Sequence, residues 1–290
     1  MKVLISGAAG QLGRELLASV PAGVEVVALD RAALDIVDPD AVSRAFDRYA
    51  PEIVLNAAAY TAVDRAEDET RQAHLVNAVG AGNLARAARQ LGARLIHVSS
   101  DYVFSGAGNR PWQPLDPMEP LGAYGRSKRD GEVAVLEAGG HALVLRSAWL
   151  YSVYGANFVR TILRLARERG HLRVVWDQVG SPTWAAGLAG TMWQLVEQRG
   201  VTGILHHADA GVASWYDFAL AIVEEAAHRS LLPGAVPVEP IATVDYPTRA
   251  PRPAFSVLDA RRTRDLLGLP AVHWRMNLRT MLDLLRTSDG

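Results

Sequence analysis

Val3-Leu4-Ile5 runs straight into Gly7-Ala-Ala-Gly10-Gln-Leu-Gly13, and a helix-patterned stretch follows at once. No other stretch narrows the choice of fold as much. A short apolar run of this kind suits a strand buried on both faces. Leu12, Leu16 and Leu17 then mark the expected inward stripe of the helix. Gly7, Gly10 and Gly13 give the turn its φ freedom and let the backbone approach a pyrophosphate. The helix N-terminus behind them supplies partial positive charge. In a first strand-turn-helix unit this is a dinucleotide-binding pattern.

The rhythm continues. Strands are expected at Glu25–Leu29, Ile53–Leu55, Arg94–Val98 and Ala142–Leu145. Helices are expected from Asp38-Pro39 to about Tyr49, from Thr70 to Leu91 with breaks at Gly80 and Gly82, and after Gly122. Alternation with short connections predicts an α/β fold, a Rossmann-type doubly wound parallel sheet with ligands at the carboxyl ends of its strands. After Tyr151 the pattern changes to helices near 157–169, 183–199, 214–228, 259–267 and 276–286, with a Pro-rich segment between Pro233 and Pro253. Two units are expected: residues 1–150 as the nucleotide-binding domain, and residues 151–290 as a smaller substrate lobe with some segments returning to the sheet.

Composition bounds the chemistry. In 290 residues the formal net charge is −1, which gives no electrostatic case for nucleic acid or an anionic membrane. There is no cysteine, so thiolate catalysis and disulfides are excluded. The opening strand does not read as a signal peptide, and no apolar run approaches the ~20 residues of a membrane span. The chain reads as cytoplasmic. Its eight histidines show no ligand spacing, and no metal site is assigned. His206 and His207 are adjacent in a strand-like run and are expected on opposite faces.

Among 30 basic residues only Lys2 and Lys128 are lysines. Lys128 lies four residues after Tyr124, so one helix face carries both. A cation beside a phenol favours the phenolate and is expected to bring the tyrosine toward working pH as a proton donor and acceptor. Ser99, Ser100 and Asp101 end the fourth strand opposite this helix, and a hydroxyl there can polarise a carbonyl. Asp30 ends the second strand, where an acid accepts from ribose hydroxyls and repels a 2′-phosphate; it can equally cap a turn. Arg31 beside it offsets the repulsion, so NADH and NADPH both stay open.

Together these residues resemble the extended short-chain dehydrogenase/reductase superfamily. Within it, nearly the whole chain is similar to the dTDP-4-dehydrorhamnose reductases, through Gly10-Gln-Leu-Gly13, Asn56-Ala-Ala-Ala-Tyr-Thr-Ala-Val-Asp64 and Ser100-Asp-Tyr-Val-Phe104. Tyr124-Gly-Arg-Ser-Lys128, Arg146-Ser-Ala-Trp-Leu-Tyr151, Asp177-Gln-Val-Gly-Ser-Pro-Thr183 and Arg252-Pro253 extend the likeness. The resemblance implies reduction of the C4 ketone of dTDP-4-dehydro-β-L-rhamnose by NADPH or NADH, the last step to dTDP-L-rhamnose. It implies Tyr124 as the acid, Lys128 as its tuning cation and holder of the nicotinamide ribose, and Ser100 on the ketone. Gln11, Leu12, Asp35, Ile36, Ala59, Tyr60 and Thr61 match coenzyme-contacting positions. Asp101 and Trp149 match the sugar-nucleotide side, and Arg252 is a candidate for the diphosphate.

Ala8 and Ala9 replace residues that are often polar in this branch. Some relatives form a magnesium-dependent dimer through acidic residues that find no match here, so Mg2+ is not carried over and a homodimer stays open. Two other readings stand beside the first: a reductase of another nucleotide-4-ketohexose, and a non-catalytic NADP-binding subunit resembling the regulatory subunit of methionine adenosyltransferase. Intact Ser100, Tyr124 and Lys128 argue against the second.

Overall fold

The computed structural model describes residues 1–288. Its first half alternates as the pattern requires: β1 (Lys2–Ser6), α1 (Gln11–Ala18), β2 (Glu25–Leu29), α2 (Pro39–Tyr49), β3 (Ile53–Asn56), α3 (Thr70–His74), α4 (Ala81–Leu91), β4 (Arg94–Ser100), α5 (Ala123–Ala138) and β5 (His141–Ser147). Local chemistry sets the boundaries. Asp38 accepts from the Asp40 amide with Pro39 in the first turn of α2, and Gly92, in a left-handed conformation, ends α4.

The long helix expected over 70–91 is not broken at its glycines. It widens into a π-turn over Leu75–Gly80 between α3 and α4. Gly80 is required there because Ile36 packs against it: a Cβ would lie 2.6 Å from Ile36 Cγ1.

The second half carries β6 (Leu150–Tyr151), α6 (Phe158–Arg169), β7 (Leu172–Val175), β8 (Val179–Gly180), β9 (Thr183–Trp184), α7 (Ala185–Glu197) and β10 (Gly203–His206). Then come β11 (Ala213–Ser214), α8 (Trp215–His228), β12 (Val238–Ile241), α9 (Arg261–Leu267) and α10 (Trp274–Ser288). Ser214 and Asp217 form the capping box that opens α8. No helix among the described residues is long and apolar enough to cross a membrane.

The main sheet is parallel throughout, in the order β10-β5-β4-β3-β1-β2. Its side chains alternate between two cores. Val3, Ile5, Ile53 and Leu55 pack with α1 and α7; Leu4 and Val54 pack on the other face with α2 and α4. A third core joins α6, α8 and α10 through Tyr151, Ile162, Phe218, Ile222, Leu278 and Met281. Residues after 150 therefore divide: α7 and β10 return to the sheet, while α6, α8 and α10 form a lobe of their own. Leu17, expected inward on α1, is 39% exposed. It lies one residue off the Leu12/Leu16 stripe, and Glu15 turns inward to accept a 2.6 Å bond from Ser152 of the second half.

Candidate active site

The chain's path across the sheet reverses between β1 and β3, and a cleft of about 240 Å³ opens at their carboxyl ends. Gly7, Gly10, Asp30, Arg31, Asp35, Ile36, Ala59 and Tyr60 line it. The turn is built for close backbone approach: Gly7 has φ +74°, and a Cβ on it would lie 2.5 Å from the Ala58 nitrogen. A Cβ on Gly13 would lie 2.3 Å from the Gly7 carbonyl oxygen. Gly10 caps α1 with no side chain, so the first amides of that helix face outward as anion donors.

Asp30 caps its own turn and also borders the cleft. Its Oδ1 accepts from the amides of Ala32 and Ala33 at 3.0 and 2.9 Å, while the carboxylate lines the cleft. Asp35 likewise accepts from the Val37 amide at 3.0 Å. Leu12 is buried in the core, so only its backbone faces the turn. Gln11 accepts at 3.1 Å from Asn157, which caps α6, and so links the turn to the second lobe. Thr61 is exposed and does not line this cleft. Bare amides, a close-packed Gly turn and a carboxylate at the strand end are a set that fits a dinucleotide.

Ser100, Tyr124 and Lys128 come together at the end of β4. Ser100 Oγ donates to Asp101 Oδ1 at 2.8 Å and accepts from the Tyr102 amide at 3.2 Å. The first turn of α5 lies directly on this loop, since a Cβ on Gly125 would stand 2.2 Å from the Tyr102 carbonyl oxygen. That contact brings Tyr124 edge-on to Tyr102, with ring centroids 5.4 Å apart. Glu67 fixes the helix start by accepting from the Ala123 amide at 2.7 Å.

The electrostatics differ from the expectation. Burial pushes the Tyr124 phenol well above its usual range, and the Ser100 hydroxyl opposes it only in part. Lys128 is not among the groups acting on the phenol; its Nζ instead donates to the Val98 carbonyl at 2.7 Å. Burial lowers Lys128 itself to about 8, with Glu132 pulling the other way. Asp101, also buried, is raised to about 6, against the hydroxyls of Ser100 and Ser256.

On the substrate side, two expected residues have other partners. Arg252 donates to Asp64 Oδ2 at 2.6 Å and to the Tyr102 hydroxyl at 3.1 Å, so the fork expected for a diphosphate is held by a carboxylate. Trp149 stands in a left-handed backbone conformation, φ +48°, and stacks on Trp215 with centroids 3.4 Å apart. One indole face is thereby covered, and Gly180 leaves room for the ring: a Cβ there would lie 2.5 Å from Trp149 Cε2.

Sequence reasoning passed over several residues that shape this site. Asn77, on the π-turn, accepts from the Tyr60 amide and donates to the Tyr60 carbonyl and to Ser127 Oγ, tying the cleft loop to α5. Nothing in the local Ala/Leu pattern distinguishes it. His97 is fully buried and pairs with Asn56 at 2.8 Å. Glu132 is buried against Arg146, and its place four residues after Lys128 was the one available signal.

A family model described as the RmlD substrate binding domain matches residues 1–287. The dTDP-4-dehydrorhamnose reductase of Mycobacterium tuberculosis H37Rv is 44% identical, over 97% of this chain and 92% of that protein. A probable dTDP-4,6-dihydroxy-2-methyloxan-3-one 4-ketoreductase of Streptomyces antibioticus is also 44% identical, over 96% of this chain and 94% of that one. The crystal structure of dTDP-4-dehydrorhamnose reductase from Bacillus anthracis in complex with NADP superposes with a TM-score of 0.92 at 34% identity, covering 98% of this chain and 99% of that one. By a match that runs almost end to end, this chain belongs to the RmlD substrate binding domain family.

Proposed function

We propose that this protein reduces the C4 ketone of dTDP-4-dehydro-β-L-rhamnose to dTDP-β-L-rhamnose with NADPH or NADH. The observation that carries the reading is the meeting of Ser100, Tyr124 and Lys128 at the end of β4, beside a cleft fitted to a dinucleotide. The names of the relatives support the substrate class.

The reduced nicotinamide, when bound, supplies the hydride. The protein's own groups handle the proton. Burial keeps Tyr124 protonated at neutral pH, so it meets the substrate as an acid and delivers its proton to the developing C4 alkoxide. Ser100 lies next to it and donates to the same oxygen once its hydroxyl turns from Asp101. Lys128, a full turn further along α5, faces the nicotinamide ribose with charge that is present below about pH 8. Asp30 and Arg31 meet the adenosine ribose. Residues 1–150 hold the coenzyme, and residues 151–290 supply the sugar-nucleotide side with Trp149 at the junction and Arg252 exchanging Asp64 for the diphosphate.

The test is direct: form the dTDP-4-ketosugar in situ, add each coenzyme, and identify the product sugar. Coenzyme oxidation that depends on the ketosugar and yields dTDP-rhamnose supports the proposal. Coenzyme binding without any ketone-dependent oxidation sinks it in favour of a pure binding role. The Streptomyces antibioticus relative favours a second reading, reduction of a different nucleotide-4-ketohexose, which the identity of the product decides.

A further inference from the structure

Arg146 and Glu132 form a fully enclosed ion pair beneath the catalytic helix. Their exposures are 1% and 0%, and both carboxylate oxygens are engaged, Nε to Oε1 at 2.8 Å and the second terminal nitrogen to Oε2 at 2.6 Å. The guanidinium does more than neutralise a carboxylate. Its remaining nitrogen donates to the Pro114 carbonyl at 3.0 Å and approaches His206 Nε2 at 3.3 Å. Its flat face lies 4.9 Å above the Phe104 ring, which itself stacks on Trp112. One side chain thus meets β10, the end of the Ser100–Phe104 loop, the Pro-rich approach to α5, and α5 itself. A buried pair of this kind adds little net stability over apolar residues of equal volume; what it offers is a fixed arrangement.

We propose that Arg146 is a positioning residue of the reductase site, which clamps Glu132 one turn below Lys128 and so sets α5 against the loop that carries Ser100. The inference rests on the functional reading given above. Tyr124 and Lys128 come from α5 and Ser100 from β4, and their relative placement is a matter of how those elements are docked. Arg146 is bonded or packed to both sides of that docking. The same clamp holds the Glu132 carboxylate in place one turn from Lys128. The groups that face or act on Lys128 are the Val98 carbonyl and His97 from β4, and Glu132 from its own helix. His97, buried, stays neutral, which leaves Glu132 as the charge that favours the ammonium.

The experiment uses two variants of the whole protein. Arg146→Met combined with Glu132→Leu removes both charges together, leaving neither buried alone. Arg146→Lys keeps a cation opposite Glu132 but loses the fork that reaches Pro114. For each, melting temperature, kcat, KM and the pH dependence of NADPH binding are measured, the last without any sugar nucleotide. The paired variant is expected to lose about ten- to a hundredfold in kcat, as for a small misplacement of reacting groups. Its alkaline loss of coenzyme binding is expected to move down by about one pH unit, because the carboxylate that favours the Lys128 ammonium is gone. Arg146→Lys is expected to lose kcat with that pH limb unmoved.

A paired variant that folds with wild-type kcat and an unmoved limb overturns the proposal. If the paired variant does not fold, Arg146→Lys decides, and kcat within twofold of wild type overturns it. A wild-type protein inert toward every 4-ketosugar, but with a limb that moves as stated, overturns the functional reading and leaves the tuning of Lys128 standing.

Discussion

Lys128 donates to the Val98 carbonyl at 2.7 Å, so the cation of the Tyr-x-x-x-Lys pair is anchored to the strand beneath it rather than to the phenol beside it. Enclosed there, it sheds its proton near pH 8 instead of in the usual lysine range. Below that pH it is an ammonium with donors to spare, which the proposed contact with the nicotinamide ribose would use. NADPH affinity is therefore expected to fall as pH rises through about 8. Lys128→Arg, whose guanidinium keeps its proton, is expected to abolish that fall while binding more weakly at every pH, because a planar fork does not fit a slot shaped for an ammonium. Fluorescence titration of coenzyme against pH checks both; an Arg variant with wild-type affinity at neutral pH removes Lys128 from the site.

Tyr124→Phe removes the proton and the phenol's bond with Ser100, while the ring keeps its edge contact with Tyr102. Turnover is expected to drop by about two decades or more, the scale of a positioned acid, with coenzyme affinity preserved. Steady-state rates within a few-fold of wild type count against the phenol.

For Asp30 the informative change is to Asn. The amide oxygen still caps the Ala32 and Ala33 nitrogens, so the turn survives, but the charge proposed to meet the adenosine ribose is lost. The ratio of kcat/KM for NADPH over NADH is expected to rise by about fivefold, a single charge near a phosphate being worth roughly 1 kcal/mol. An unchanged ratio means the carboxylate does not meet the ribose.

Asp209 gives a prediction about stability. Burial raises it to about 6, against the Asn277 side chain and the Trp184 amide. The folded protein thus holds this proton to higher pH than the unfolded chain, whose carboxyl ionises near 3.8. Its contribution to stability is complete below that value and drains away as pH climbs to about 6. His206, held down to about 3 by burial and by Arg146, behaves in the opposite sense: its contribution is full above 6.5 and is lost on acidification. Asp209→Asn deletes the first trend and leaves the second. Between about pH 4 and pH 6 the variant's unfolding free energy is expected to climb more steeply than wild type, by on the order of 1 kcal/mol per pH unit. Urea unfolding across that range measures the slope, and parallel curves refute the assignment.

Much of the fold was legible because strand and helix leave period-two and period-3.6 traces in the order of residues, and Gly7, Asp38-Pro39 and Ser214 punctuate them. The Tyr124–Lys128 pair was legible for the same reason, being four residues apart on one helix. What escaped depended on contacts between distant segments. Arg252 finds Asp64 across 188 positions, and Trp149 finds Trp215 across a lobe. The π-turn at Leu75–Gly80 hides inside an Ala/Leu run that reads as helix broken at Gly80 and Gly82 rather than as a widened turn, although it carries the Asn77 that meets both Tyr60 and Ser127. The protonation of Tyr124 was misjudged since spacing places a cation near the phenol but says nothing of how dry the phenol is, nor of where the cation points.

The strand β10 is supplied by residues that come after the second lobe has already begun, and it pairs along β5 from Gly203↔Leu143 to His206↔Arg146. The chain is stitched back into its own first half, so the two units are not exchangeable cartridges. Grafting residues 151–290 from a relative onto this Rossmann half would carry away the edge strand beside β5, the His206 that leans on Arg146, and the α7 side chains that cover α1. Any exchange between relatives in this architecture therefore has to keep β10 and α7 with the Rossmann half that they complete.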